Sequence, residues 1–186
     1  TDRARPGVIA VNQKAERFVN ESNSYHHFAS AMQSQPENAP CFLICDALAM
    51  KRYGLGLARP APVNNDALIE AGYLHKADSL ARLAQQLGLD AQALAGTVAR
   101  YNRDAAQGED PQFAKGGNSY NRAMGDPGHR PNACNAPLTR APFYAVTLYT
   151  GDLGTSRGLV TTADAQVINQ QGEPIKGLYA VGNDMN

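Results

Sequence analysis

The last part of the chain carries the residue pattern best suited to holding a bound group. An apolar run at residues 178–181 ends in Gly182 and Asn183. A strand that ends in glycine lets the backbone approach a bound group closely, because no Cβ atom intervenes. A second apolar run lies at residues 165–168, and the glycine and proline between the two runs predict a β-hairpin. From the residues alone, an ordinary hairpin that closes a core is the simpler explanation.

The cysteines and histidines show no spacing typical of a metal site or a disulfide framework. Cys41 and Cys45 bracket a short apolar run, where cysteine usually behaves as a small core residue. Cys134 stands alone in a polar stretch, and the count of three is odd. The histidines have no ligand spacing with these cysteines; they are His26, His27, His75 and His129. We therefore predict neither a disulfide nor a metal.

Composition excludes several classes of partner. The chain has 186 residues, and its 17 basic side chains cancel its 17 acidic ones. This balance argues against nucleic acid or an anionic membrane as a partner. No apolar run approaches the roughly 20 residues of a membrane helix, and residues 1–6 lack a signal-peptide core. The expectation is a soluble, cytoplasmic protein with one substantial core.

The first third of the chain alternates strand and helix patterns. Short apolar runs at residues 8–12 and 17–20 predict a β-hairpin with a polar turn. Capping residues then precede a predicted helix at 25–35, which Pro36 ends. A continuous apolar run at 40–46 predicts a buried strand, and a short helix is expected to follow it.

The middle of the chain carries the clearest helix signals. After a proline-containing loop at 55–65 and a predicted strand at 69–75, Asp78 and Asp90 are predicted to cap two helices. These helices are expected at 80–87 and 91–106. From 108 to 140 the composition turns to Gly, Pro, Asn and charge, which predicts a long loop. A strand at 142–149 follows, so we expect a domain boundary near Arg140.

Several segments together resemble a known flavoprotein family. The stretch Gly177-Leu-Tyr-Ala-Val-Gly-Asn183 and the stretch Gly151-Asp-Leu-Gly-Thr155 are similar to segments of FAD-dependent 3-ketosteroid dehydrogenases. These enzymes belong to the fumarate reductase/succinate dehydrogenase flavoprotein superfamily. Further matching segments occur in the family's order at residues 6–12, 17–21, 24–28, 46, 76–80, 97–102 and 141–145.

The resemblance implies an α+β fold divided between two domains. Residues 1–140 would form the substrate, or cap, domain, and residues 141–186 would be an incomplete returning segment of a split FAD-binding domain. The chain contains no Gly-X-Gly-X-X-Gly motif to place the FAD pyrophosphate on a helix N-terminus. We therefore expect FAD in the parent polypeptide but no tight binding by these residues alone. The implied partners are the missing FAD-binding domain and a small hydrophobic ketone, and exposed strands could form a homo-oligomer.

The resemblance also implies roles for individual residues. Tyr25 matches the cap-domain tyrosine that abstracts a substrate proton in ketosteroid dehydrogenases. A phenol is a weak acid, so such a base needs a second hydroxyl or a nearby cation. Neighbouring helix positions point apart, so we expect that group on the missing domain rather than at His26. Glu21 is predicted to cap the helix. The implied FAD-binding residues are Asp152, Gly154, Thr155, Gly182 and Asn183; Arg157 departs from the family's glycine.

Two other functions are compatible with the sequence. A fumarate reductase-like enzyme would carry an arginine that donates a proton where Tyr25 stands, and its dicarboxylate substrate would need arginines in the cap. A stand-alone ligand-binding module derived from a cap domain would need a partner to cover its terminal strands. The favoured prediction is an oxidoreductase that transfers hydride between a ketosteroid-like substrate and flavin.

Overall fold

The computed structural model describes residues 2–152, 154 and 158–185, which form two compact units. The first unit spans residues 1–150 and the second spans residues 151–186. The composition change near Arg140 suggests an earlier boundary, before the strand predicted at 142–149. That strand hydrogen-bonds to two others of the first unit, so the compact unit extends to Thr150.

A four-stranded antiparallel sheet forms the centre of the first unit. Its strands are β1 (Val8–Val11), β2 (Cys41–Cys45), β3 (Leu74–Ala77) and β4 (Phe143–Leu148), in the order β1-β2-β4-β3. Every residue of β1 and β2 is buried, as expected for continuous apolar runs. The sheet is therefore covered on both faces.

Six α-helices surround this sheet among the described residues of the first unit. They are α1 (Tyr25–Gln33), α2 (Ala47–Tyr53), α3 (Asp66–Glu70), α4 (Leu80–Leu87), α5 (Ala91–Ala105) and α6 (Ser119–Met124). Side-chain oxygens at the N-caps accept backbone N–H groups at five of them; these caps are Ser24, Asp46, Ser79, Asp90 and Asn118. Ser79, and not the predicted Asp78, caps α4.

The two faces of the sheet belong to separate apolar clusters. Ile9 and Val11 pack with residues of α4 and α5, whereas Val8 and Ala10 pack with residues of α1 and α2. This alternation follows from the two-residue period of a β-strand. The first unit is therefore a three-layer α/β/α arrangement, with α1 and α2 on one side and α4 and α5 on the other.

Three predicted elements are wrong. Residues 17–20 do not pair with β1, whose partner is β2. The strand predicted at 69–75 begins only at Leu74, because residues 66–70 form α3. The loop predicted at 108–140 contains α6, which Asn118 caps. In each case side-chain hydrogen bonding or long-range packing decides the local structure, and neither leaves a periodic apolar pattern.

Two residues at the ends of α2 have special backbone roles. One Asp46 carboxylate oxygen caps α2, and the other accepts the N–H groups of Thr139 and Arg140, both at 3.1 Å. Gly54 ends the helix with φ +73°, and a Cβ atom there would lie 2.3 Å from the carbonyl oxygen of Ala58. The chain therefore requires a carboxylate at one end of α2 and glycine at the other.

The second unit contains the predicted hairpin. Strands β5 (Gln166–Ile168) and β6 (Pro174–Tyr179) pair antiparallel, and β6 begins earlier than the apolar run at 178 suggests. All six residues of β6 are exposed. A 3-10 turn, Gly182–Asp184, follows the hairpin.

Among the described residues, no helix is both long enough and apolar enough to cross a membrane.

Candidate functional site

Tyr25 is the first residue of α1, and its side chain is 59% exposed. The Ser24 hydroxyl accepts the backbone N–H of His27 at 3.4 Å, which fixes the start of the helix. The same hydroxyl also lies 2.9 Å from Nδ1 of His27, so this imidazole is engaged locally. The structure thus presents Tyr25 on the surface of the first unit.

A cation lies beside Tyr25. The Arg3 guanidinium carbon is 4.9 Å from the centre of the Tyr25 ring and 4.2 Å from that of Phe28. Its NH1 group donates to the backbone oxygens of Glu21 at 2.8 Å and Asn23 at 3.3 Å. Burial lowers the pKa of Arg3, while the acidic groups around it oppose that shift. The predicted helper group is a second hydroxyl or a cation on the missing domain, and Arg3 is a cation from the same unit as Tyr25.

Arg3 and Tyr25 line a small surface depression. Tyr120 and Met124, from α6, complete one side of it, and the Glu21–Asn23 segment forms another. Tyr120 is 47% exposed, so two phenol side chains and one guanidinium meet at this surface. Sequence reasoning missed Arg3 and Tyr120, since no local pattern connects them with Tyr25.

The segment that leads to Tyr25 is anchored by a buried ion cluster. The Arg17 guanidinium contacts both carboxylate oxygens of Glu21 at 2.8 Å and those of Asp110 at 2.7 and 2.8 Å. Lys115 Nζ lies 3.9 Å from Glu21 and donates to the Val8 carbonyl. The Arg17, Glu21 and Asp110 side chains are at most 3% exposed. Glu21 therefore belongs to this cluster and is not the predicted helix cap.

Charge pairing controls the protonation of this cluster. Burial would raise the pKa of Glu21, but the Arg17 and Lys115 cations outweigh it and lower that pKa. Asp110 behaves in the same way beside Arg17, so its pKa is also lowered. For Lys115, burial dominates and lowers the pKa. Both carboxylates are therefore ionised at neutral pH, and they hold residues 17–21 against the 110–115 segment.

The predicted FAD-binding residues lie in the second unit. Gly182 has φ +64°, and a Cβ atom built there would meet no atom within 4 Å. Gly154 also has open space around it, and Asp152 is exposed. The structure does not describe Thr155 or Arg157, so the predictions on these two residues lie outside the described residues.

Gly158 and Leu159 lie against the Gly182–Asp184 turn. The Leu159 N–H donates to the carbonyl of Asp184 at 2.9 Å. A Cβ atom at Gly158 would lie 2.1 Å from the Asp184 carbonyl carbon, so only glycine permits this contact. The chain just after the predicted loop is thereby held against the turn that contains Gly182 and Asn183.

These residues fit one wall of a flavin site. Gly182 offers backbone without a side chain, and two exposed apolar residues are near it. Val181 precedes it in the sequence, and Leu159 contacts the turn through Asp184; both are more than half exposed. A planar ring can lie against such a surface. The sequence contains no Gly-X-Gly-X-X-Gly motif, which is the usual pyrophosphate-binding motif of dinucleotide-binding folds.

Comparison with known families identifies the chain's relatives. A family model described as "FAD binding domain" matches residues 1–186. A 4-oxocyclohex-2-ene-1-carboxylate 5-dehydrogenase of Sinomonas cyclohexanicum is 41% identical over 95% of this chain and 30% of the relative. A 3-oxosteroid 1-dehydrogenase of Mycolicibacterium smegmatis is 36% identical over 98% of this chain and 34% of the relative. The chain thus spans about a third of the length of these relatives.

Solved structures show the same relationship. A 3-ketosteroid delta1-dehydrogenase from Sterolibacterium denitrificans, in complex with 1,4-androstadiene-3,17-dione, superposes with a TM-score of 0.85 at 37% identity. The match covers 99% of this chain and 34% of that one. A flavocytochrome c3 fumarate reductase superposes with a TM-score of 0.70 at 24% identity and shows a shared fold. The resemblance to FAD-dependent dehydrogenases, predicted from the sequence, is confirmed, and FAD is the cofactor of this family. The chain belongs to the FAD binding domain family of flavoproteins.

Proposed function

We propose that this chain forms the substrate side of an FAD-dependent dehydrogenase acting on a ketone. Its reaction would remove hydrogen from two adjacent carbons beside the carbonyl group and leave an α,β-unsaturated ketone. The observation that carries the proposal is that the exposed Tyr25 side chain lies beside the Arg3 guanidinium. As a phenolate, Tyr25 can accept a proton from a carbon acid, and the guanidinium balances the phenolate charge.

In this proposal the two compact units have different roles. The first unit is the cap domain that presents the substrate to Tyr25. The second unit is the returning segment of a split FAD-binding domain. The fully exposed strand β6 supports this assignment, since a two-stranded sheet needs further packing to be stable in water. The proposed partner for that packing is the remainder of the same polypeptide, and a second copy of the chain is a weaker candidate.

The proposed chemistry assigns one task to each site residue. Tyr25 takes the proton from the carbon next to the ketone. Arg3, 4.9 Å from the ring centre, balances the negative charge that the Tyr25 phenolate carries before it accepts the proton and becomes a neutral phenol. FAD, when bound, supplies the hydride acceptor. The residues that would hold it are Asp152, Gly154, Thr155, Gly182 and Asn183.

A small hydrophobic ketone is the substrate class that we propose. The two relatives named above act, by their names, on a 4-oxocyclohexene carboxylate and on a 3-oxosteroid. A ketone in a six-membered ring with removable hydrogen on the adjacent carbons is common to both. A fumarate reductase-like activity is the weaker alternative, because a tyrosine stands at the first position of α1 and not an arginine. A cytoplasmic location remains a prediction.

The test is Tyr25→Phe in the full-length polypeptide. The substitution removes only the hydroxyl, so flavin absorbance should be unchanged while turnover of a 3-oxosteroid falls by about 10² to 10⁴-fold. The matched control is Tyr120→Phe, a second exposed phenol in the same depression, which should keep turnover within about threefold. Unchanged turnover in Tyr25→Phe would reject the assignment, and loss only in Tyr120→Phe would transfer the role to that residue.

A second experiment tests the location of the cofactor site. Titration of the 186-residue chain with FAD should show no tight complex, because the sequence lacks the pyrophosphate-binding motif. Absorbance and fluorescence of the flavin report the binding. A submicromolar affinity would mean that the cofactor site is misplaced here.

A further inference from the structure

A groove separate from the Tyr25 depression lies on the first unit. It has a volume of about 260 Å³ and runs between α2, the 59–65 loop, β3 and β4. Val63, Ile69 and Tyr144, which are partly or largely exposed, give it an apolar wall. None of its lining residues belongs to the depression around Tyr25. The groove is therefore not explained by the proposed catalytic role.

Three cations line this groove without an acidic partner. They are Lys51, Arg59 and Lys76, and the only acidic residue in the lining is Asp66. Among the residues that the structure describes, none of the three cations has a carboxylate oxygen within 4.0 Å. Like charges around one concave surface repel each other, and a bound anion relieves that repulsion.

The chain segments that carry the cations are fixed in place. The side chain of Asn65 makes two hydrogen bonds with the backbone of Arg59. Its Oδ1 accepts the Arg59 N–H at 3.0 Å, and its Nδ2 donates to the Arg59 carbonyl at 2.9 Å. The Ala61 N–H donates to the carbonyl of Lys51 at 3.1 Å, which ties this loop to α2. Lys76 belongs to β3, which pairs with β4. The cationic side chains therefore project from a preorganised frame.

The phenol of Tyr144 adds a neutral donor to the lining. Burial raises the pKa of Tyr144, with a smaller contribution from Cys45. The hydroxyl is therefore protonated at neutral pH and can donate to an anionic oxygen. Tyr144 is opposite Lys76 in the pairing of β3 with β4, so the donor and the cation come from adjacent strands.

We propose that this groove binds a small organic carboxylate. The carboxylate lies among Lys51, Arg59 and Lys76, and the apolar body of the ligand packs on the wall that contains Val63 and Ile69. Cations arranged around an apolar wall select this ligand class over a neutral molecule and over a bare inorganic ion. The site is additional to the dehydrogenase function proposed above, and its test does not depend on that function.

Binding can be measured on the 186-residue chain with cyclohexanecarboxylate as the probe. Titration at low ionic strength, followed by amide chemical shifts, should give a dissociation constant in the millimolar range. The shifts should concentrate at residues 50–52, 59–66 and 74–76. Cyclohexanecarboxamide has the same shape without the charge and should bind at least about tenfold more weakly. Raising the salt concentration to about 0.5 M should weaken binding of the carboxylate.

Variants distinguish binding in this groove from non-specific attraction of the carboxylate to basic side chains elsewhere on the surface. Arg59→Gln and Lys76→Gln should each weaken binding by about three- to tenfold while the far-ultraviolet circular dichroism is unchanged. Arg103→Gln is the control, because Arg103 is exposed, lies on α5 and pairs with Asp104. It should leave binding as it is.

Three results would overturn the proposal. Equal binding of the carboxamide would mean that charge plays no part. Unaltered binding in both groove variants would place the ligand elsewhere. Binding by the 186-residue chain but not by the full-length polypeptide would mean that another part of the same protein covers the groove.

Discussion

Replacement of Glu21 by glutamine tests the buried ion cluster. The change keeps the size of the side chain and removes one negative charge from a site with no solvent exposure. One of the four contacts of Arg17 with carboxylate oxygens is lost, since the amide nitrogen of glutamine cannot accept it, and the contact with the remaining oxygen is no longer made to a charged group. Lys115 also loses its carboxylate partner at 3.9 Å.

The expected cost of Glu21→Gln is about 3 to 5 kcal/mol in the free energy of unfolding, as for other broken buried ion pairs. Screening by solvent does not reduce it, because the Arg17 side chain is only 1% exposed. This is a large part of the roughly 5 to 15 kcal/mol that stabilises a typical domain. The matched control is Glu37→Gln, which breaks the solvent-screened pair with Lys14 and should cost far less than Glu21→Gln.

Urea unfolding at pH 7, followed by circular dichroism at 222 nm, measures this difference. The helical signal reports the first unit, because α1 to α6 all lie there. The same measurement toward acidic pH gives a second criterion. Since the pKa values of Glu21 and Asp110 are lowered by folding, their contribution is present above the unfolded value near 4 and disappears as pH falls through the folded values.

The wild type should therefore lose stability below about pH 4.5, and Glu21→Gln should lose it less steeply. A cost below about 1 kcal/mol at pH 7 would refute the reasoning. Equal acid slopes in the two proteins would refute it as well. Either result would mean that the cluster is more hydrated than its burial indicates.

Three further predictions concern the fold. Asp46→Ala should lower the free energy of unfolding by about 2 to 4 kcal/mol, because it removes both a helix cap and two loop contacts. Asp90→Ala removes only a cap and should cost about 1 kcal/mol. Urea unfolding compares the two variants, and equal costs would contradict the role of Asp46 in the loop. Gly54→Ala should destabilise the chain by about 2 kcal/mol more than Gly88→Ala. Both glycines have positive φ, but only a Cβ atom at Gly54 would clash with backbone. A smaller difference would show that the loop beside Gly54 can shift. All three cysteines are buried, and burial raises the pKa of Cys41 to about 12. A thiol reagent at pH 8 should therefore label the native chain far more slowly than the unfolded chain. Rapid labelling of the native chain would contradict this burial.

Local signals were sufficient for much of the fold. The apolar run at 40–46 predicted β2, and α4 and α5 were predicted within one residue of their observed ends. Each of these elements has its own pattern or its own cap, so no distant residue is needed to form it. The hairpin of β5 and β6 was predicted for the same reason, from two apolar runs and a turn.

Distant partners explain most of what the sequence could not predict. Asn20 lies in the stretch of polar residues just before α1, yet its side chain donates to the carbonyls of Phe113 and Ala114 and to the side chain of Asn121. Asn121 in turn donates to the Ser22 carbonyl at 3.1 Å. These bonds span about a hundred residues of sequence, so no period or spacing reports them.

For the candidate site as well, the sequence predicted the local feature but not the long-range contact. The position of Tyr25 at the start of a helix follows from the capping residues before it, and the structure agrees. Arg3 is 22 residues earlier in the chain, and only the packing of the N-terminal 3-10 turn, Asp2–Ala4, brings it to the ring. A single sequence cannot predict such a meeting, since either residue alone is unremarkable on a protein surface.

The position of β4 in the sheet has a consequence for how the protein is made. Among the described residues, strand β3 hydrogen-bonds to β4 and to no other strand of the sheet. During synthesis, residues 74–77 therefore cannot pair until a strand about seventy residues later has been made. Until Phe143–Leu148 has emerged, β2 also has an open edge, which a chaperone or another nascent chain could occupy. Shortened versions that stop before Leu148 should therefore accumulate as aggregates rather than as smaller folded proteins.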